Sequence, residues 1–142
     1  MIVNVLHLTL REHITAETRT QVLAALRRTA SVDSVSFSSV GEDFADTTGR
    51  TIGFVVGVAD IAALERYMHD PVHLAGDELI LPNLSGGSAL RFATDPVSEQ
   101  VYAAAAAKAA KYPDWGRRVN ELFGDRATWS AQGASGSAPA PG

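Results

Sequence analysis

Over the first 95 residues the spacing of apolar side chains switches between a period of two and a period near 3.6. The order of those switches leaves few folds open. Met1 to Leu10 carries Ile2, Leu6, Leu8 and Leu10 at one parity and Val3 and Val5 at the other, which predicts a strand covered on both faces. Thr15 suits an N-cap and Glu17 a first helical turn. The helix that follows runs to about Ala30, with Val22, Leu23 and Leu26 on one face. Ser34 to Ser38 alternates polar and apolar as a strand does, Gly41 to Gly49 reads as a polar turn, and Arg50 to Val58 is a strand. In that last strand Ile52, Phe54, Val56 and Val58 share one side. Asp60 can cap a helix carrying Ile61, Leu64, Tyr67 and Met68, which must stop before Pro71. A short helix over 72–81, a loop over 82–87 and a strand over 88–93 complete the series.

The order β-α-β-β-α-β predicts an α+β, ferredoxin-like protomer: four antiparallel strands with helices on one face only. That topology leaves the other face of the sheet bare. Since the first and third strands carry apolar residues at both parities, the bare face is expected to meet a second copy of the chain. The expected partner is therefore a homodimer mate.

Charge and composition narrow the function. The 142 residues hold 12 Lys plus Arg against 16 Asp plus Glu, a net charge of -4 with no basic run, which argues against nucleic acid as a partner. There are no cysteines, so disulfides, thiolate metal sites and cysteine nucleophiles are excluded. No apolar run approaches the roughly 20 residues that span a bilayer, and Met1-Ile2-Val3-Asn4 has no signal-peptide character. The expectation is a cytoplasmic protein with no membrane partner.

Beyond Asp95 the composition shifts. Pro96 to Lys111 includes Tyr102 and five consecutive alanines, a strong helix former. Tyr112-Pro113 breaks it, and a second helix carries Trp115, Val119, Leu122 and Phe123 before Gly124. The chain is thus divided as a domain over 1–95, a helical extension over 96–124 and a flexible tail of small residues over 125–142. The aromatics of the extension suggest docking onto its own protomer, across a dimer, or over the mouth of a cavity.

One stretch is distinctive: Tyr67-Met68-His69-Asp70-Pro71-Val72-His73, following a short helix headed by Asp60. With the opening strand and the βαββαβ order around it, this run resembles the signature of the stress-responsive A/B barrel (Dabb) family. The resemblance covers roughly residues 1–95. It implies a dimeric α+β barrel of two ferredoxin-like protomers packed sheet to sheet, each with a ligand cavity between its sheet and its helices. A plant member of the family closes a linear polyketide by an aldol reaction without a cofactor. Its catalytic tyrosine and histidine match Tyr67 and His73, whereas two further cavity histidines are replaced here by Asn4 and Ile52.

What the resemblance implies is a cofactor-independent enzyme acting on a small, largely apolar, polyketide-like carbonyl compound. The reaction class is aldol-type cyclisation or a related proton transfer. Histidine titrates near working pH and suits removal of a proton beside a carbonyl, so His73 is expected as the base. A tyrosine hydroxyl can donate to the developing oxyanion, the role expected of Tyr67. The cavity lining is expected from Leu6, Leu8, Ile52, Phe54 and Val56 on the sheet and Val22, Leu23 and Leu26 on the first helix, with Asn4 as a polar contact. Each residue also has a plainer reading: His73 as a loop-fixing histidine, Tyr67 as a core aromatic, Asn4 as an amide bonded locally.

His69 and His73 with Asp70 have the composition of a metal site, but Pro71 breaks the helix that would align the two imidazoles, and no metal is expected. Two other functions stay open. One is a non-catalytic small-molecule-binding or stress-response protein; the other is a cofactor-free or haem-linked monooxygenase. More Arg than Lys and abundant alanine fit a GC-rich bacterial source, where specialised metabolism is a natural setting.

Overall fold

The computed structural model describes residues 1–124. Ten elements follow one another: β1 (Ile2–Leu10), α1 (Ala16–Thr29), β2 (Val35–Glu42), β3 (Thr51–Val58), α2 (Ile61–His69), α3 (Pro71–Ile80), a 3₁₀ turn (Leu81–Asn83), β4 (Leu84–Ala93), α4 (Ser98–Lys111) and α5 (Pro113–Phe123). The strands form one antiparallel sheet in the order β2-β3-β1-β4. This is the ferredoxin-like α+β arrangement that the alternating periods predict, followed by two further helices. The tail expected to be flexible, 125–142, lies outside the described residues.

Register decides what each face carries. Across β3, β1 and β4 the partners Val56, Asn4 and Arg91 align, as do Phe54, Leu6 and Ala89, and Ile52, Leu8 and Gly87. Since side chains alternate along a strand, these rows share the face under the helices. Leu8, Leu10, Ile52, Val58, Val22 and Leu84 are sealed there. The opposite face carries Val3, Val5, Val55, Phe37, Leu90 and Phe92, of which Phe37, Leu90 and Phe92 stand 45%, 61% and 46% exposed.

The helices start where the capping chemistry places them. The Thr15 hydroxyl accepts from the Thr18 N–H, and Asp60 accepts from the Ala63 N–H at 2.8 Å. Two strand boundaries differ from the pattern. β4 begins at Leu84 rather than Ser88, because buried Leu84 pairs with Leu10 and draws the weak strand formers Ser85-Gly86-Gly87 into the ladder. β2 runs on to Glu42, whose partner is Ile52, so the polar turn is shorter than its composition suggests. Tertiary pairing outweighs local propensity at both places.

The extension folds back onto its own protomer. α4 packs against α2, and α5 packs against both α4 and β4. The close approach at the sheet is made possible by Gly87: a Cβ there would lie 2.6 Å from the His7 carbonyl oxygen and 2.7 Å from the Phe123 ring. Among the described residues, no helix is long and apolar enough to cross a membrane.

Candidate functional site

Pro71 builds the site's geometry. A proline drives the residue before it out of the helical region, and Asp70 is extended at φ -62°, ψ 130°. α2 therefore ends at His69, and α3 starts with Asp70 as its N-cap, whose side chain accepts from the Val72 N–H at 2.8 Å. The Tyr67 carbonyl would ordinarily accept from the residue four positions on, but that residue is Pro71 and has no N–H. It accepts instead from the Asp70 N–H at 3.3 Å and from Nδ1 of His73 at 2.7 Å. The His73 ring is thereby drawn against the Tyr67 ring, centroids 4.3 Å apart.

The other ring nitrogen, Nε2, lies 3.2 Å from Oδ2 of Asp77, one turn further along α3. That same oxygen accepts from the Trp115 indole N–H at 2.8 Å and lies 3.9 Å from Nζ of Lys108. The carbonyl can only accept, so Nδ1 carries the proton between them, and Nε2 faces the carboxylate. Asp77 is thus a direct partner of His73 that the expected site residues did not include.

Protonation follows from burial and these partners. Burial raises the Tyr67 hydroxyl pKa and the Asp77 charge raises it further, so Tyr67 stays protonated and able to donate. Burial pushes the Asp77 carboxyl up, but the His73 charge and hydrogen bond, Lys108 and the Trp115 donor outweigh it and hold it below the usual carboxylate range. Lys108 is completely buried, lies 4.2 Å over the Trp115 ring centroid and has no hydrogen-bond partner at Nζ. Burial lowers its pKa to about 8, against the opposing pull of Asp77.

These groups stand in the wall of a cavity of about 590 Å³ lined by the sheet and by residues of α1, α2, α3, α4 and α5. Of the residues expected to line it, Asn4, Leu6, Leu8, Leu26, Phe54 and Val56 do so, together with Tyr67 and His73. Val22, Leu23 and Ile52, expected in the lining, instead belong to the close-packed core, where helix and sheet meet without a gap. Asn4 presents a buried Oδ1 with no hydrogen-bond partner, so it is not the locally bonded amide of the plainer reading. Arg91, its neighbour across β4, also borders the cavity, and burial lowers its pKa to about 10. His69 packs 5.9 Å from the Tyr112 ring. Among the described residues no group of three metal-ligating side chains comes together.

Three members of this cluster escape a motif reading. Asp77 carries a legible signal, since it stands four residues after His73 on one helix face. Lys108 is in phase with Val101, Ala104 and Ala105, so a buried stripe was visible with a cation on it. Trp115 shows only that the extension docks somewhere; nothing local says that its N–H meets Asp77.

A ferredoxin-like α+β protomer with a cavity between sheet and helices defines a structural class, and comparison narrows it. Residues 2–95 match the Stress responsive A/B Barrel Domain (Dabb) model, and the chain belongs to that family. Searching curated protein sequences gives no match. Among solved structures, a dimeric ferredoxin-like protein of unknown function from Thermobifida fusca is similar at TM-score 0.55 and 22% identity, over 66% of this chain and 91% of that one. The hydroxynitrile lyase of Passiflora edulis is similar at TM-score 0.55 and 14% identity, over 67% and 94%. A cofactor-independent oxygenase from Streptomyces nogalater is similar at TM-score 0.51 and 12% identity, over 66% and 91%. At these identities the likeness is one of fold. In each case the shared part is about two thirds of this chain.

Proposed function

We propose that this protein is a cofactor-independent acid–base enzyme acting on a small, largely apolar carbonyl compound. The observation that carries the reading is the His73–Asp77 couple, anchored on the Tyr67 carbonyl and set in the wall of the cavity. In its form without a proton between Nε2 and Oδ2, the couple takes up the proton from beside the substrate carbonyl, and the Tyr67 hydroxyl donates to the enolate oxygen that forms. The enolate carbon attacks a second carbonyl of the same molecule, and the couple returns its proton to the new alkoxide. No electron leaves the substrate, so an aldol-type cyclisation of a polyketide-like chain balances without a cofactor.

The working form is a homodimer joined through the bare sheet face. Its exposed Phe37, Leu90 and Phe92 support this, as do the dimeric proteins of the same fold. The ligand is apolar over most of its length, matching the aliphatic sheet floor, and meets the unpartnered Asn4 amide oxygen with a hydroxyl or amide donor.

Exchange of substrate C–H for deuterium tests the chemistry before any product is known. Apolar diketones are incubated with protein in D₂O and followed by proton NMR. The expected result is exchange that falls by about 10²–10⁴ in a folded His73→Ala variant, and substantially in Tyr67→Phe. Exchange equally fast in wild type and His73→Ala would overturn the reading.

A further inference from the structure

The family match ends at residue 95, yet two groups touching the Asp77 carboxylate come from beyond it: Lys108 on α4 and Trp115 on α5. Lys108 is the less expected of the two. A buried ammonium without a hydrogen bond is costly, and alanine fills the neighbouring positions of α4. As a packing element the side chain is a poor choice. As a charge it is well placed, because it lies on the same Oδ2 that His73 uses.

In a dry site a carboxylate facing an imidazole alone holds the shared proton tightly, and a couple so locked exchanges slowly. A second cation on the same oxygen spreads the carboxylate's charge over two partners and repels the imidazolium, loosening the proton. We propose that Lys108 is a positioning residue of the site: through the Asp77 carboxylate it shares with His73, it keeps the imidazole proton exchangeable. The C-terminal helices thereby complete a centre that the family domain begins. Only the catalytic meaning of this inference rests on the proposed function.

The groups facing this cluster are known from each packed element. α2 contributes Tyr67 and, toward Lys108, His69 with the Glu65 carboxylate acting on it; α3 contributes His73 and Asp77; α4 contributes Lys108 with Lys111 one turn on; α5 contributes Trp115; and Arg91 of β4 borders the same cavity. Asp77 is the carboxylate that both Lys108 and His73 contact, which is why a change at Lys108 is expected to be read at His73.

The test is an NMR titration of the His73 ring nitrogens in the full-length protein, comparing wild type with Lys108→Met, Lys108→Gln and Lys108→Arg. It needs no substrate, so it succeeds or fails independently of the enzyme reading. With the cation removed, the His73 midpoint is expected to move to higher pH by roughly one unit in both neutral variants, and Lys108→Arg returns most of the shift. A purely structural lysine would change the melting temperature and leave the midpoint where it was. An unmoved midpoint in the folded Met or Gln variant overturns the proposal. A moved midpoint in a protein that exchanges no carbonyl substrate sustains the coupling and counts only against the proposed function.

Discussion

Nδ1 of His73 donates to the backbone carbonyl of Tyr67 at 2.7 Å, and that carbonyl is available only because the residue four positions on is Pro71. The hydrogen bond sets the tautomer of the ring and turns Nε2 toward Asp77. One proline thus orients the titratable group of the site without touching it.

Replacing Pro71 with alanine restores an N–H at the position where the helix would use it. α2 can then extend, and the Tyr67 carbonyl gains a competing donor. The expected outcome is a folded protein whose deuterium exchange falls about tenfold or more, since small misplacements of a reacting group are costly. Exchange assays beside circular dichroism check it; undiminished exchange would show that the proline does not set the ring.

Lys108 makes stability depend on pH in the alkaline range. Burial lowers its pKa from 10.5 to about 8, so the folded chain binds the proton less tightly than the unfolded chain. Below about pH 8 both states are charged and the fold bears the full penalty; as pH rises toward 10.5 only the unfolded chain keeps the proton, and stability climbs. Lys108→Met removes that penalty, while His73 and Trp115 still partner Asp77. The variant should be more stable at pH 7 by about 3 kcal/mol, with the gap closing toward pH 10. Urea denaturation across pH measures it, and a less stable variant at pH 7 would contradict the sign.

The bare sheet face gives a third prediction. Leu90 is 61% exposed on that face, which also carries Phe92 and Phe37. Leu90→Glu should convert a dimer into a monomer while the protomer stays folded, because a charge buried in an apolar interface is strongly unfavourable. Sedimentation velocity reads the outcome, and an unchanged dimer would move the interface elsewhere.

Gly87 tests how the extension docks. A methyl group there meets the His7 carbonyl oxygen, which is backbone and cannot easily retreat, as well as the Phe123 ring. Gly87→Ala should destabilise the protein by about 1–3 kcal/mol and disturb the Trp115 fluorescence as α5 lifts. A neutral substitution would mean that α5 does not press on β4.

Local patterning carried the strands and helices of residues 1–95, because each has an apolar face with a definite period and the caps Thr15, Asp60 and Asp70 accept from nearby N–H groups. Tyr67 and His73 were legible through the Tyr67-Met68-His69-Asp70-Pro71-Val72-His73 run that resembles the family's signature, and Pro71 between them shapes the turn that joins them. β4 was not legible at its start, since Ser85-Gly86-Gly87 has no strand preference of its own and joins the ladder through pairing with β1.

The sequence by itself determined the order of elements, the bare apolar face and the Tyr67–Pro71–His73 turn, all of which depend on residues a few positions apart. Only the tertiary structure decided that Lys108 and Trp115 meet Asp77, 31 and 38 residues away, on the same carboxylate oxygen that His73 faces. It also decided that Val22, Leu23 and Ile52 fill the core rather than the cavity. Periodicity tells which face of an element is buried, but what that face is buried against depends on how the elements pack.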